Sequence, residues 1–190
     1  MKILLSCFAC APNQGSEPGV GWNWAVNLAQ YHDVCVLTRM QNKRVIEEYC
    51  KTNTINFQIE YFGINFFEKY TKFPFRENLY SMIWQRRVVR FAERLNKYYQ
   101  FDLCHHITYA SFKFPSRLYK LGIPLIIGPV GGGEVTPNSC YRQYDIKGRI
   151  KEFLHDEQIK FMKKRKSTYN MFSCAQKILV TTLETFNCVP

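Results

Sequence analysis

A repeated alternation between short apolar segments and longer segments with helical periodicity decides the fold class of this sequence. The apolar segments are strand candidates, in chain order 2–8, 33–38, 55–63, 101–107, 123–127 and 176–181. The helix candidates between them are 19–31, 42–52, 79–99, 111–121 and 147–173. Strands that alternate with helices form a parallel sheet with helices on both faces. We therefore predict a single α/β domain with strand order 3-2-1-4-5-6.

Composition limits the classes of protein to which the chain can belong. Its 190 residues exceed only slightly the roughly 150 residues of one domain. The hydrophobic share of 46% excludes a disordered chain, and no apolar run approaches the ~18 residues of a membrane-spanning helix. Lysine and arginine number 26 against 15 acidic residues, a net charge of +11. This charge favours an anionic partner: nucleic acid, an anionic membrane or a phosphorylated ligand.

The cysteines and the N-terminus bear on the cellular compartment. The first eleven residues imitate a short signal peptide, but Pro12 disfavours cleavage there, and the same residues supply the first strand. Cys7 and Cys10 form a lone C-x-x-C with no second ligand pair, so we expect no metal site. The dispersed cysteines favour buried thiols in a reducing cytosol, and we expect a cytoplasmic protein.

Ligands of open parallel sheets bind beyond the carboxyl ends of the strands. The loop after the first strand contains Gly15, Gly19 and Gly21 and leads into a helix, so its N–H groups suit an anion. The dinucleotide pattern G-x-G-x-x-G is incomplete, because Trp24 replaces the third glycine and Arg39 stands where an acid is required. A nicotinamide or flavin enzyme is therefore disfavoured. The alternative is a loop that only shapes the start of the helix.

A further candidate follows the fifth predicted strand. Gly131, Gly132 and Gly133 stand in a row before Glu134, and such a run is a candidate anion-binding nest or a turn that chain geometry requires.

His105 and His106 end the fourth strand. Neighbours on a strand point to opposite faces, so at most one of them serves a site. One interpretation is a hydrogen bond to a substrate hydroxyl, and the other is a pair of histidines packed on the sheet.

Basic side chains form two tracts. Arg86, Arg90, Arg94 and Lys97 make one stripe on the helix over 79–99, and eight aromatic residues occur within 61–80 just before it. The second tract lies within 160–166. Solvated helix faces explain both tracts, but the aromatic residues beside the first favour contact with a membrane surface. Nucleic acid is the weaker alternative, because no nucleic-acid module is visible.

Four segments carry a family resemblance. They are 15–25 (GSEPGVGWNWA), 36–39 (VLTR), 105–112 (HHITYASF) and 122–134, which ends in GPVGGGE. Together they resemble the N-terminal half of family-4 retaining glycosyltransferases, whose two Rossmann-like domains face each other across a cleft in the GT-B arrangement. The resemblance implies a Rossmann-like acceptor-side domain over 1–185 and the start of another element over 186–190. The C-terminal donor-binding domain is then absent, and we expect the isolated chain to be inactive.

The resemblance also implies roles for the candidate residues. Gly15, Gly19 and Gly21 would approach the diphosphate of the donor, His106 or its neighbour His105 would lie near the acceptor hydroxyl, and the cleft would be lined by Gly131, Gly132, Gly133 and Glu134. The implied reaction transfers a sugar from a nucleotide-sugar to a hydroxyl with retention, in the synthesis of cell-surface polysaccharide or glycolipid. Such enzymes need no metal or other cofactor, because fixed dipoles and cations balance the leaving diphosphate.

The implied partners are a saccharide or lipid-linked acceptor and, only with a C-terminal half, a nucleotide-sugar. We expect no nucleic-acid partner, and attachment to the inner face of the membrane would use Arg86, Arg90, Arg94 and Lys97. The alternative from another functional class is a non-catalytic module that binds an acceptor or a membrane.

Overall fold

The computed structural model describes residues 1–65, 76–111, 113–141 and 143–189, with the backbone alone at 76 and 138. Within them, one parallel sheet is formed by β1 (Lys2–Cys7), β2 (Asp33–Arg39), β3 (Gln58–Phe62), β4 (Leu103–Thr108), β5 (Leu125–Val130) and β6 (Lys177–Val180). The strand order is β3-β2-β1-β4-β5-β6, and every neighbouring pair is parallel. The predicted α/β class and strand order are confirmed, and the domain is a Rossmann-like doubly wound fold.

Helices connect the strands. They are α1 (Ser16–Leu28), α2 (Lys43–Cys50), α3 (Arg76–Tyr99), α4 (Asn138–Tyr141), α5 (Ile146–Lys163), α6 (Lys166–Ser173) and α7 (Leu183–Cys188), with 3₁₀ turns at Met40–Asn42 and Leu118–Leu121. Among the described helices, none combines the length and the hydropathy that a bilayer span requires.

The predicted helix over 111–121 is wrong, because the described part of this segment is helical only in its final 3₁₀ turn. Pro115 lies in its middle, and proline removes a backbone donor and disfavours helical geometry in the preceding residue. The hydroxyl of Ser116 also accepts a hydrogen bond from the N–H of Leu118 at 3.3 Å, which favours a tight turn.

The predicted helix over 147–173 is divided into α5 and α6. Arg165 has an extended backbone, with φ −71° and ψ 130°. The division falls within the four consecutive cations of 163–166, and repulsion among like charges disfavours a continuous helix there.

The sheet carries a hydrophobic layer on each face. Leu5 packs with Trp22 of α1 in one layer, whereas Leu4 packs with Trp84 of α3 and Ile159 of α5 in the other. Successive side chains of a strand point to opposite faces, so neighbours on β1 enter different layers. Because all six described strands are parallel, their carboxyl ends share one edge of the sheet, where the predicted site loops begin.

Candidate functional site

Hydrogen bonds join the loops that follow β1 and β4 at this edge. The N–H of Ala9 donates to Oγ1 of Thr108 at 3.0 Å. Glu17, in the first turn of α1, accepts a hydrogen bond from the N–H of Tyr109 at 3.0 Å. Two hydrogen bonds therefore hold the first glycine loop against the segment after the histidine pair.

The glycines of the first loop have different structural reasons. A Cβ atom at Gly19 would lie 2.1 Å from the carbonyl oxygen of Gln14, and one at Gly21 would lie 2.4 Å from that of Ala9. Gly15 has no heavy atom within 4 Å of such a position. Close packing thus accounts for Gly19 and Gly21, whereas the backbone at Gly15 is open to approach.

The N-terminus of α1 lies beside this open position. Gly15 is its N-cap residue, and no side chain caps the helix. The first N–H groups of a helix have no intrahelical partner, and they favour an anion together with the helix dipole. The binding of a phosphate group at this end of α1 stays a prediction.

Three residues at the same edge have left-handed backbones without being glycine: Asn13 (φ 56°), Ser16 (φ 55°) and Tyr109 (φ 55°). This conformation costs an L-residue of order 1 kcal/mol or more, and such strain concentrates at functional sites. The hydrogen bond between Glu17 and Tyr109 connects the two strained segments.

A substitution tests the packing of the first loop. Gly21→Ala is expected to lower the free energy of unfolding by about 2 kcal/mol, because the new methyl group meets the backbone oxygen of Ala9. Gly15→Ala is the matched control, and its cost is expected to stay below about 1 kcal/mol. Urea denaturation followed by far-UV circular dichroism measures both. Equal losses in the two variants would contradict this description of the loop.

The glycine run after β5 is saturated with internal hydrogen bonds. The N–H of Gly131 donates to the carbonyl of Ala110 at 3.4 Å, that of Gly132 to Oε2 of Glu134 at 2.8 Å, and that of Gly133 to Oγ1 of Thr185 at 3.2 Å. An anion-binding nest needs free N–H groups, so the run does not present an open nest in this structure. A Cβ at Gly133 would lie 2.6 Å from Cα of Thr185, so close packing favours glycine there.

Glu134 directly follows the glycine run and accepts hydrogen bonds from residues around it. The hydroxyl of Thr185 donates to its Oε1 at 3.0 Å. Burial raises the pKa of Glu134, but hydrogen bonds from its own N–H, from Thr185 and from Gly132 outweigh this and leave the pKa below its usual value. Burial lowers the pKa of the neighbouring Lys113, while Glu134 raises it in part. The exposed carboxylate is therefore ionised near neutral pH and accepts hydrogen bonds from hydroxyl groups.

The two histidines point to opposite faces of the sheet. His105 lies 2.9 Å from the carbonyl oxygen of Gly128, to which its Nε2–H donates. Its ring makes an edge contact with Trp24 of α1 at 5.0 Å between centroids. Burial lowers the pKa of His105, and the hydrogen bond to Gly128 raises it in part. His105 thus anchors β5 beside β4.

His106 points towards α3 and has no exposed surface. Its Nδ1 lies 3.3 Å from Oγ of Ser6, and its Nε2 lies 3.3 Å from Nε2 of Gln85. Burial and the adjacent His105 lower the pKa of His106 to about 4. The side chain is neutral near pH 7 and is buried between the sheet and α3. Contact between His106 and an acceptor hydroxyl stays a prediction.

One polar cluster at this edge was not predicted. The guanidinium of Arg39 forms an ion pair with Glu77 of α3 and lies over the ring of Phe8 at 4.7 Å. The hydroxyl of Tyr109 donates to the same carboxylate at 3.2 Å. Burial and the charge of Glu77 raise the pKa of Tyr109 to about 12. The cluster adds a cation, a carboxylate and a phenol to the site edge.

The predicted basic stripe lies on the exposed side of α3. Its members Arg86, Arg90 and Arg94 line a groove of about 670 Å³, whereas Lys97 is not among the groove residues. The aromatic residues expected beside the stripe fall partly within 66–75, which lies outside the described residues. Membrane contact through this stripe therefore remains a prediction.

The two cysteines of the C-x-x-C pair are part of the buried core. Cys7 and Cys10 are both buried and free of disulfides, and burial raises the pKa of Cys10 to about 12. In the part of the chain that the structure describes, no three His, Cys, Asp or Glu side chains are grouped as a metal site requires.

Comparison with known proteins assigns no family. The chain matches no protein-family model and no curated protein. A functional proposal therefore rests on the fold, on the residues at the carboxyl edge of the sheet and on the resemblance of the sequence segments.

Proposed function

We propose that this chain is the acceptor-binding domain of a retaining glycosyltransferase similar to family 4. The observation that carries the proposal is the convergence of its three most distinctive segments at one sheet edge. The first glycine loop contacts the segment after β4 through the hydrogen bond between Glu17 and Tyr109. That segment contacts the glycine run after β5 through the hydrogen bond between Ala110 and Gly131. The segments are distant in sequence, and ligands of such sheets bind at this edge.

The chemistry of the edge suits a glycosyl transfer. The uncapped N-terminus of α1 offers N–H groups to a diphosphate, and the backbone at Gly15 leaves room for it. Glu134 is an ionised carboxylate among threonine hydroxyls, able to accept hydrogen bonds from a saccharide. Positioning of the acceptor and fixed dipoles opposite the leaving group lower the barrier without a metal.

The complete reaction requires a second domain, on the same chain or another. That domain would hold the nucleotide and sugar of the donor while this chain holds the saccharide or lipid-linked acceptor. The transfer retains the anomeric configuration and serves polysaccharide or glycolipid synthesis on the cytoplasmic side of a membrane. The isolated chain is expected to transfer no sugar and to bind a nucleotide-sugar weakly.

The role of His106 separates two versions of this proposal. In one version the imidazole takes part in proton movement at the acceptor, and in the other it only holds the end of β4 against α3. The buried contacts with Ser6 and Gln85 support the second version. Proton transfer by a positioned side chain contributes about 10²-fold or more to a rate.

A fused enzyme tests the proposal. We expect the chain, joined to the donor-binding half of a retaining family-4 transferase, to transfer sugar with retention. His106→Ala lowers turnover by about 10²-fold or more if the ring moves a proton, whereas His105→Ala mainly lowers the melting temperature. Transfer rates at matched folded fraction, with product anomers assigned by NMR, give the result. Full turnover of His106→Ala would reject its catalytic role, and a folded, donor-binding fusion without transfer would reject the function.

A further inference from the structure

Helix α5 has apolar side chains on its outer side as well as on its inner side. Ile159 on the inner side is buried in the core of the domain. Five large apolar residues on α5 are 54–77% exposed: Ile146, Ile150, Phe153, Leu154 and Phe161. At 3.6 residues per turn they fall within an arc of about 100°, opposite the buried side. We call these five residues the outer stripe.

Cations border the outer stripe on both sides. Lys147 and Lys151 follow it on one side of the helix, and Arg149 and Lys160 on the other, as the helical period places them. Glu157 falls inside the arc, and its carboxylate is paired with Lys160 at 2.7 Å. An exposed apolar face with lysine and arginine along its borders is typical of helices that lie in a membrane interface.

A basic groove lies in the same helical layer. Its cationic lining residues are Arg86, Arg87, Arg90, Arg94, Arg117 and Lys120, and Glu93 is the acidic one. No described carboxylate forms an ion pair with any of these six cations. One core cluster contains Val88 of α3, Leu118 beside the groove and Ile159 of α5. The basic groove and the outer stripe therefore lie in the helical layer that covers one face of the sheet.

We propose that this helical layer docks on an anionic bilayer, with the outer stripe of α5 at the boundary between headgroups and acyl chains. Lysines beside the stripe and the arginines of the groove bind phosphate groups of the lipids. The flanking lysines favour a lipid surface over a protein partner, because lysine is depleted from protein–protein interfaces. The docking involves a helix that the predicted stripe on α3 does not include, and it does not depend on the proposed transferase function.

Vesicle co-sedimentation of the 190-residue chain tests the proposal. We expect binding to vesicles of 30% phosphatidylglycerol in phosphatidylcholine, at least about tenfold weaker binding to pure phosphatidylcholine, and a comparable loss in high salt. The double variant Phe153→Ser and Leu154→Ser is expected to bind at least about tenfold more weakly, because two apolar anchors are lost. Both side chains are exposed, so the variant keeps its circular dichroism spectrum and melting temperature.

Two matched controls separate docking on a lipid surface from general apolar adsorption and from binding of a free phosphate ligand. Val45→Ser changes an exposed apolar residue on α2, across the sheet, and is expected to bind like the unsubstituted chain. Soluble triphosphate at millimolar concentration is expected to leave most of the vesicle binding intact, whereas full displacement would assign the site to a free phosphate ligand. Unchanged binding of the double variant, no binding of the unsubstituted chain to anionic vesicles, or a dimer that the double variant abolishes would overturn the proposal.

Discussion

Replacing Trp84 with alanine is expected to lower the free energy of unfolding by about 3–5 kcal/mol. Trp84 is fully buried between α3 and the sheet. Its ring meets that of Phe8 at 5.4 Å between centroids, and its Nε1–H donates to the carbonyl of Phe62 at 2.9 Å. The substitution leaves a cavity and removes the partner of a backbone carbonyl, so two costs act together. Urea denaturation followed by circular dichroism measures the loss.

Leu79→Ala on the same helix is the control for that variant. Leu79 is 45% exposed, so its truncation removes little buried surface and is expected to cost less than about 1 kcal/mol. If Trp84→Ala were no more destabilising than Leu79→Ala, Trp84 would not be packed between α3 and the sheet. Every contact that His106 makes with this helix would then be in doubt.

Stability is expected to fall by about 3 kcal/mol between neutral pH and pH 4 because of His106. The pKa of this side chain is about 4 in the folded chain, against an ordinary value of 6.5 for histidine. The unfolded chain therefore binds a proton in a range where the folded chain stays neutral. Protonation favours the unfolded state, so the stabilisation is complete above pH 6.5 and is lost as the pH falls towards 4.

Urea titrations at about pH 7, 6, 5 and 4.5 test this linkage. His106→Gln removes the titrating group while keeping hydrogen-bonding capacity, and it is expected to flatten most of the pH dependence. Part of the slope remains, because burial also lowers the pKa of His105. Equal slopes in the two proteins would mean that His106 titrates normally and is not buried against Gln85.

The strand arrangement was predictable because each strand has a local pattern of its own. Apolar runs between helical segments predict parallel strands, and each described strand begins within three residues of its predicted start. The two incorrect helix predictions also have local causes, which apolar periodicity does not take into account. These causes are Pro115 in one segment and the cations of 163–166 in the other. Both causes act on the backbone, whereas the apolar periodicity concerns only side chains.

For the candidate site, the sequence indicated only which loops lie at the carboxyl edge of the sheet. Arg39, Glu77 and Tyr109 come from three elements, and nothing local in the sequence indicates that their side chains meet. The glycine run shows the same limit. Its saturation depends on Thr185, which lies 52 positions after Gly133, so an open nest and a packed loop are equally compatible with the sequence. For α5, periodicity cannot show which of two apolar sides the domain covers.

The proposed function requires the carboxyl edge of the sheet to bind a saccharide acceptor, and amide chemical shifts report such binding residue by residue. The ¹⁵N-labelled chain would be titrated with millimolar glucose, galactose, mannose, N-acetylglucosamine and their common disaccharides. We expect at least one saccharide to shift amides concentrated within 13–21, 108–111 and 131–134, and unrelated polyols to leave them unchanged. No shift with any saccharide, or shifts confined to other surfaces of the domain, would contradict acceptor binding at this edge.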